Sequence, residues 1–427
     1  MTLTESSVTN WINGSFLGPI SKIIKEIEPT LEKKIQCSDN TNKILPLMER
    51  ENQINEIITM VRGNLRMLET RFWSPARYGR MDLNIPALIG GKGIGKTTLA
   101  NECARRLSES WTTILPNSTF FSLSLDFKNE YAITTDDLEL NHGTIIGIRF
   151  AHCYYFKSKG YSYDFLTFYN LLKAKSLLQY FYIDQVIFQI KHEIGSDIFF
   201  LLHLDEIQCL LEYEDQYKLK DIYPGGLSKN LFQSIYTYFS SLCGVVIQPI
   251  VSGTSRIELL IRVKDPTNQS FGFVQVDLLS PQAVFDWINT YSNLNKDWMT
   301  NRFILQMLQD LGGLPLAIVF FLEYIFSSDF SKQKDFFLNQ YQSFGYSQAF
   351  NHIAKKIDEH LGIGELLLDN KEVFTKLLGY SIRGTLISVN QQQDMFYNLE
   401  SKGQTFLEKR GGLDEINTMR LENSDLE

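Results

Sequence analysis

Apolar and polar positions follow two periods along this chain, and the switches between them mark where elements begin and end. From Leu47 onward, Ile54, Ile57, Ile58 and Val61 recur at helical spacing and make one buried stripe. A shorter amphipathic piece covers residues 20–31. Ala87-Leu88-Ile89 reads as a strand; Pro86 lacks an N–H and is tolerated at a strand's first position, which predicts a strand over residues 86–89. A helix is predicted over residues 96–108 and a second strand over 119–126. Residues 134–192 are helical in period and rich in aromatics, among them Phe165, Phe168 and Tyr169, which read as core. The run 197–206 is mostly apolar and ends in two acids, as expected of a parallel strand buried on both faces. Residues 213–229 are polar and contain Pro224-Gly225-Gly226, predicting an extended loop. A helix through Leu231, Ile235 and Phe239 follows, then a buried strand over 245–251 and one more over 274–279. Ser280-Pro281 reads as a cap with proline at the first helical position, opening a helix through Val284, Trp287 and Ile288. A further helix over 301–311 stops at Gly312-Gly313, and the next begins at Leu314.

Strands that alternate with helices predict an α/β fold with a mostly parallel sheet, followed by a helical lid. The expected organisation is a partly ordered leader over 1–45, an α/β core over 46–279 and a lid over 280–330. A helical or winged-helix-like domain over 331–409 and a flexible tail over 410–427 follow. Short helices at 336–341, 353–361 and 373–378, and strand-like pieces at 385–389, 396–399 and 403–407, underlie the fourth of these.

The chemistry sits first where strand meets helix, in Gly90-Gly91-Lys92-Gly93-Ile94-Gly95-Lys96-Thr97-Thr98. A loop that wraps phosphates must bring several backbone N–H groups inward, and glycine permits both the close approach and positive φ. Gly90 and Gly95 occupy the fixed places of G-x-x-x-x-G-K-[ST]; Lys96 is placed to reach the β- and γ-phosphates and Thr97 to ligate Mg²⁺. The helix N-terminus adds partial positive charge. Asp205, ending the acidic strand, is suited to the magnesium shell, and Glu206 to orienting or deprotonating an attacking water. Ser252, Thr254 and Arg256 follow another buried strand, and in α/β sheets the carboxyl ends of strands face the ligand, which makes them candidates to sense the γ-phosphate.

Composition narrows the classes. With 427 residues, 44% hydrophobic and 21% charged, the chain can bury large cores, and overall disorder is excluded. A net charge of −8 gives no case for broad binding to nucleic acid or anionic membrane, while leaving a local basic patch on the surface open. Five scattered cysteines without a C-x-x-C pair read as reduced thiols of an intracellular protein, cytoplasmic or nuclear, and argue against zinc. Neither a conventional secretory signal nor an apolar stretch long enough to span a bilayer is evident.

The order of these signals resembles the STAND branch of AAA+-related P-loop ATPases. Residues 250–256 resemble the sensor strand with its terminal arginine, and Gly313-Leu314-Pro315-Leu316-Ala317 resembles the G-L-P-L motif. The resemblance spans residues 45–330 and implies roles for Lys96, Thr97, Asp205, Glu206 and Arg256 in ATP hydrolysis, and for Pro315 in packing against the nucleotide. The segments on either side of the acidic strand are longer than usual for that branch. Leu204-Asp205-Glu206-Ile207-Gln208 and Ser252-Gly253-Thr254 are similar to the ATPase module of Crinkler-type proteins, although the usual Crinkler leader motif is not evident.

The leading expectation is a switch that binds and hydrolyses Mg-ATP, with ATP and Mg²⁺ as cofactors and a homo-oligomer or an effector protein left open as partners. Adenine is expected over guanine because no Asn-Lys-x-Asp motif follows the sensor strand. The rival is a module that holds nucleotide without hydrolysing it, or a truncated Crinkler-like effector. A small-molecule kinase lacks an acceptor site.

Overall fold

In the computed structural model the apolar runs become a five-stranded sheet. Its strands are β1 (Asn84–Ile89), β2 (Ser118–Asp126), β3 (Asp197–Asp205), β4 (Val245–Gly253) and β5 (Ser270–Gln275), in the order β2-β3-β4-β1-β5. The structure describes residues 17–27, 47–71, 83–217, 226–236, 244–253, 270–292, 301–326 and 346–361. The expected winged-helix strands, the helices at 336–341 and 373–378, and Thr254 and Arg256 lie outside them.

β2 and β3 run parallel in register from Ser118 opposite Asp197 to Asp126 opposite Asp205, and β3 and β4 run parallel from Ile198 opposite Val245 to Leu204 opposite Val251. Every residue of β3 after Asp197 is buried, which is what a central parallel strand covered on both faces requires.

The described helices are α1 (Leu17–Ile27), α2 (Glu51–Arg71), α3 (Lys96–Ile114), α4 (His142–His152), α5 (Phe165–Ala174) and α6 (Ile183–Ile194). They continue with α7 (Ile207–Gln216), α8 (Leu227–Tyr236), α9 (Pro281–Ser292), α10 (Arg302–Asp310), α11 (Pro315–Phe326) and α12 (Tyr346–Leu361). The chain forms two compact units that interleave in sequence: residues 1–41, 56–88 and 100–273 in the first, and 42–55, 89–99 and 274–427 in the second.

In the first unit, α1 buries Ile20, Ile23, Ile24 and Ile27, so part of the expected leader belongs to the core. The aromatic segment is core as well: Phe165, Phe168 and Tyr169 are buried with Phe150, Phe156 and Phe181. At the C-terminus of α4 the helix widens by one residue, Ser158 N–H donating to the Cys153 carbonyl at 2.8 Å. Arg149, fully buried on α4, is held bidentately by Asp137 at 2.7 and 3.0 Å and donates to the carbonyls of Tyr131, Ala132 and Ile145 at 3.0, 2.8 and 3.0 Å. A buried guanidinium is tolerated because its donors are satisfied.

Four sequence expectations need correction. The first strand starts at Asn84, so Pro86 lies inside it, and Pro249 lies inside β4. Each proline withholds a ladder donor; buried amides supply bonds beside them, Asn64 Nδ2 donating to the Asn84 carbonyl (2.7 Å) and Gln248 Oε1 (2.8 Å), and Gln248 Nε2 to the Pro249 carbonyl (2.9 Å). Residues 213–216 continue α7 and residues 227–229 open α8, so both ends of the expected loop are helical, while residues 218–225 lie outside the described residues. One charge there is buried: Glu214 is 2% exposed and accepts from Ser228 Oγ at 2.7 Å. The last strand is Ser270–Gln275, earlier than 274–279, because Leu278 and Leu279 line a cavity of the second unit. The helix after the glycine loop runs to Ile114, six residues beyond expectation, carried by buried Leu107 and Trp111.

The second unit packs α9, α10, α11 and α12 around Trp287, Met307, Ile318, Phe321, Leu322 and Ile353. Asn301 caps α10, its Oδ1 accepting from Phe303 N–H (3.0 Å) and Ile304 N–H (3.3 Å). Among the described residues no helix is long and apolar enough to cross a membrane.

Candidate functional site

The glycine loop belongs to the second unit up to Leu99. It leaves β1 at Gly90 and enters α3 at Lys96, with Leu99 N–H donating to the Gly95 carbonyl at 2.9 Å to close the first helical turn. Gly93 and Gly95 have φ of 78° and 96°. Gly93 also packs beneath the lid: its carbonyl accepts from Leu316 N–H at 3.1 Å, and a Cβ there would come 2.8 Å from Leu316 Cβ. Both constraints, the left-handed backbone and the close approach, leave glycine as the residue that fits. Lys96 is 5% exposed and its Nζ donates to the carbonyls of Gly90 (2.8 Å) and Gly91 (3.0 Å). The ammonium is thereby drawn back along the loop it is expected to serve. Thr97 and Thr98 are exposed on the first turn of α3, while Lys92 is partly exposed and Ile94 buried.

Against this loop the second unit opens a cavity of about 1030 Å³. Gly90, Gly91 and Ile94 line it from the loop, and Val284, Phe285 and Leu308 supply apolar side chains. A pocket of mostly apolar lining with a few backbone and polar groups is what a small organic ligand requires. Pro315 opens α11 at its first position, and its neighbours Gly312 and Gly313 line the cavity. Gly313, at φ 74°, lies so near the segment leading into α9 that a Cβ would come 2.0 Å from the Leu279 carbonyl oxygen; its own carbonyl accepts from Leu279 N–H at 2.9 Å.

The entry segment before α2 is tied to the same wall. Arg50, 3% exposed, donates from Nη2 to the Asp277 carbonyl. Burial lowers its pKa, partly offset by Asp277 and Glu49. Glu49 holds φ at 52° and accepts from Ser280 N–H at 2.8 Å and from Ser280 Oγ, while Ser280 Oγ accepts from Ala283 N–H at 3.2 Å. This is the logic of a capping box, with the glutamate supplied from far away in sequence. These bonds lower the Glu49 pKa, the Ser280 hydroxyl contributing most.

In the first unit, Asp205 ends β3 and is 5% exposed. Its Oδ1 accepts from Glu206 N–H at 3.0 Å and from Ser252 Oγ. His203 Nε2 lies 2.9 Å from Ser252 Oγ, and its Nδ1 3.4 Å from Ser124 Oγ. Glu206 has left-handed backbone (φ 54°), a conformation that costs a non-glycine residue about 1–2 kcal/mol and is found at functional sites. Its carboxylate accepts from Gln208 Nε2. Ser252, expected to sense phosphate, is thus engaged by Asp205 and His203. Sequence reasoning did not single out His203, Glu49 or Arg50, and it read Ser280 as a cap without the distant glutamate that it bonds. The only advance signal was a histidine inside an otherwise apolar strand.

Among the described residues no group of three or more His, Cys, Asp or Glu is placed to hold a metal. A threonine hydroxyl and one carboxylate do suit Mg²⁺, which keeps waters and takes phosphate oxygens.

The glycine loop between β1 and α3, set on a mostly parallel five-stranded sheet flanked by helices, defines the P-loop NTPase fold. No protein-family model matches the chain, and no curated protein matches its sequence. Among solved structures it is similar to the Aeropyrum pernix ORC2 protein in its ADPNP-ADP complexes (16% identity, covering 91% of this chain and 90% of that one, TM-score 0.41). It is also similar to C. elegans PCH-2 (14%, 76% and 72%, TM-score 0.39) and to the A. pernix ORC1 protein in complex with DNA (13%, 89% and 86%, TM-score 0.39).

Proposed function

We propose that this chain binds and hydrolyses ATP with Mg²⁺ and acts as a conformational switch of the STAND/AAA+ type. The observation that carries this reading is one cavity lined both by Gly90 and Gly91 of the glycine loop and by apolar side chains of the helical lid. A ligand with phosphates at one end and a flat apolar base at the other suits both kinds of lining, and its loss or hydrolysis would change what the lid packs against. In this reading the loop from Gly90 to Thr98 binds phosphate, Lys96 reaches the β- and γ-phosphates, and Thr97 and Asp205 hold Mg²⁺. Glu206 orients the attacking water, Arg256 senses the γ-phosphate, and Pro315 and its neighbours support the lid side.

The test is equilibrium binding of Mg-ATP together with phosphate release by the full chain. Lys96→Ala is expected to weaken ATP binding by roughly 100-fold or more, and Glu206→Gln to keep binding while phosphate release falls roughly 10²- to 10⁴-fold. Unchanged ATP affinity in Lys96→Ala sinks the assignment. The Gln208 amide on the Glu206 carboxylate favours one alternative, a module that holds nucleotide without turning it over. Tight binding with no phosphate release by the wild type would select it.

A further inference from the structure

We propose that His203 and Ser252 are positioning residues for Asp205, forming a relay across the strand ends that fixes its carboxylate in one orientation. The inference rests on the reading of Asp205 as a magnesium-holding carboxylate. Four side chains from three adjacent strands make the relay: Ser124 on β2, His203 and Asp205 on β3, and Ser252 on β4. His203, Asp205 and Ser252 are 4%, 5% and 0% exposed, so these contacts are shielded from competing water.

Proton counting sets the direction of every bond. The Ser252 hydroxyl has one proton and donates it to Asp205 Oδ1. The contact from His203 Nε2 to Ser252 Oγ, at 2.9 Å, must therefore have the imidazole as donor. In the neutral ring that leaves Nδ1 to accept from the Ser124 hydroxyl at 3.4 Å. Asp205 Oδ1 receives a second donor, Glu206 N–H at 3.0 Å. Two donors on one oxygen stop rotation about the Cβ–Cγ bond, and the direction of Oδ2 is set with it. His203 Nε2 itself is 3.8 Å from Oδ1, beyond hydrogen-bond reach, so it acts on the carboxylate through Ser252.

A buried polar cluster that merely satisfied itself would affect folding alone. A positioning relay affects how strongly metal tightens nucleotide binding, because partners that orient a metal-holding group typically account for 10- to 100-fold in affinity. The experiment measures ATP affinity of the full chain in EDTA and in Mg²⁺, and takes the ratio. His203→Leu is expected to leave the affinity in EDTA within about 2-fold of wild type, and both His203→Leu and Ser252→Ala to reduce the tightening by Mg²⁺ by roughly 10- to 100-fold. His203→Gln, whose amide nitrogen reaches the place of Nε2, is expected to restore most of it. The double variant His203→Leu/Ser252→Ala should lose no more than either single change, since both break one chain of bonds. Should His203→Leu fail to fold, Ser252→Ala and His203→Gln carry the comparison. Wild-type tightening in Ser252→Ala, or no restoration in His203→Gln, overturns the relay and leaves the ATPase reading standing. A wild type that binds no ATP in either condition overturns that reading and the relay with it.

Discussion

Acid should destabilise this protein through one buried histidine. His152 ends α4 fully buried, with Tyr131 Oη 2.9 Å from Nδ1 and the Tyr163 carbonyl 2.9 Å from Nε2. The carbonyl can only accept, so Nε2 carries the proton and Nδ1 accepts from the tyrosine. Burial pushes the pKa of His152 down from 6.5 to about 4, against smaller raising contributions from the Tyr163 carbonyl, Glu130 and Asp164. Above the unfolded value the ring is neutral in both states and the effect vanishes. As pH falls below 6.5 the unfolded chain takes up a proton that the folded chain refuses, and stability is lost until pH reaches about 4. The gap of about 2.5 units corresponds to about 3 kcal/mol at its limit, and about 2 kcal/mol of it is lost by about pH 5. Urea unfolding followed by circular dichroism near pH 7.5 and near pH 5 reads this directly, for wild type and for His152→Gln. The variant will be less stable at both values, but its decline with acid should be shallower by about 2 kcal/mol. Equal declines in the two proteins would refute the argument.

Two other perturbations test the packing around the candidate site and the aromatic core. Gly313→Ala places a Cβ against the Leu279 carbonyl oxygen at positive φ, at a cost of about 2–5 kcal/mol from backbone strain and overpacking. Its thermal midpoint should fall and ATP binding weaken; an unchanged midpoint would show that the Leu279–Gly313 approach is not rigid. Asp137→Ala leaves the Arg149 guanidinium buried without its carboxylate and should cost about 3–5 kcal/mol in denaturant unfolding. A loss below about 1 kcal/mol, the range of an exposed pair, would mean that water reaches the arginine.

What the sequence determined about this protein is what local periodicity and backbone chemistry can carry. The loop from Gly90 to Thr98, the apolar strand ending at Asp205, the Ser280 cap and the aromatic stripe through Phe165 and Phe168 were all legible, because each depends on neighbours within a turn or a strand. The errors fall where a residue's role is set by something distant. Residues 213–216 read as loop until Glu214 is seen buried and bonded by Ser228. Leu278 and Leu279 read as strand until the lid gives them a cavity to line.

The tertiary structure alone decided which polar groups meet. Arg50 finds the Asp277 carbonyl 227 positions away, Glu49 finds Ser280 231 away, and His203 finds Ser252 49 away. Hydrophobic patterning says which face of an element is buried, and it is silent on what lies opposite. Hydrogen bonds depend on placement to a few tenths of an ångström, and that placement comes from strand order and register. The glycine loop was therefore written in the sequence, while the bonds that hold Asp205 and tie the lid to the entry segment had to be read from the fold.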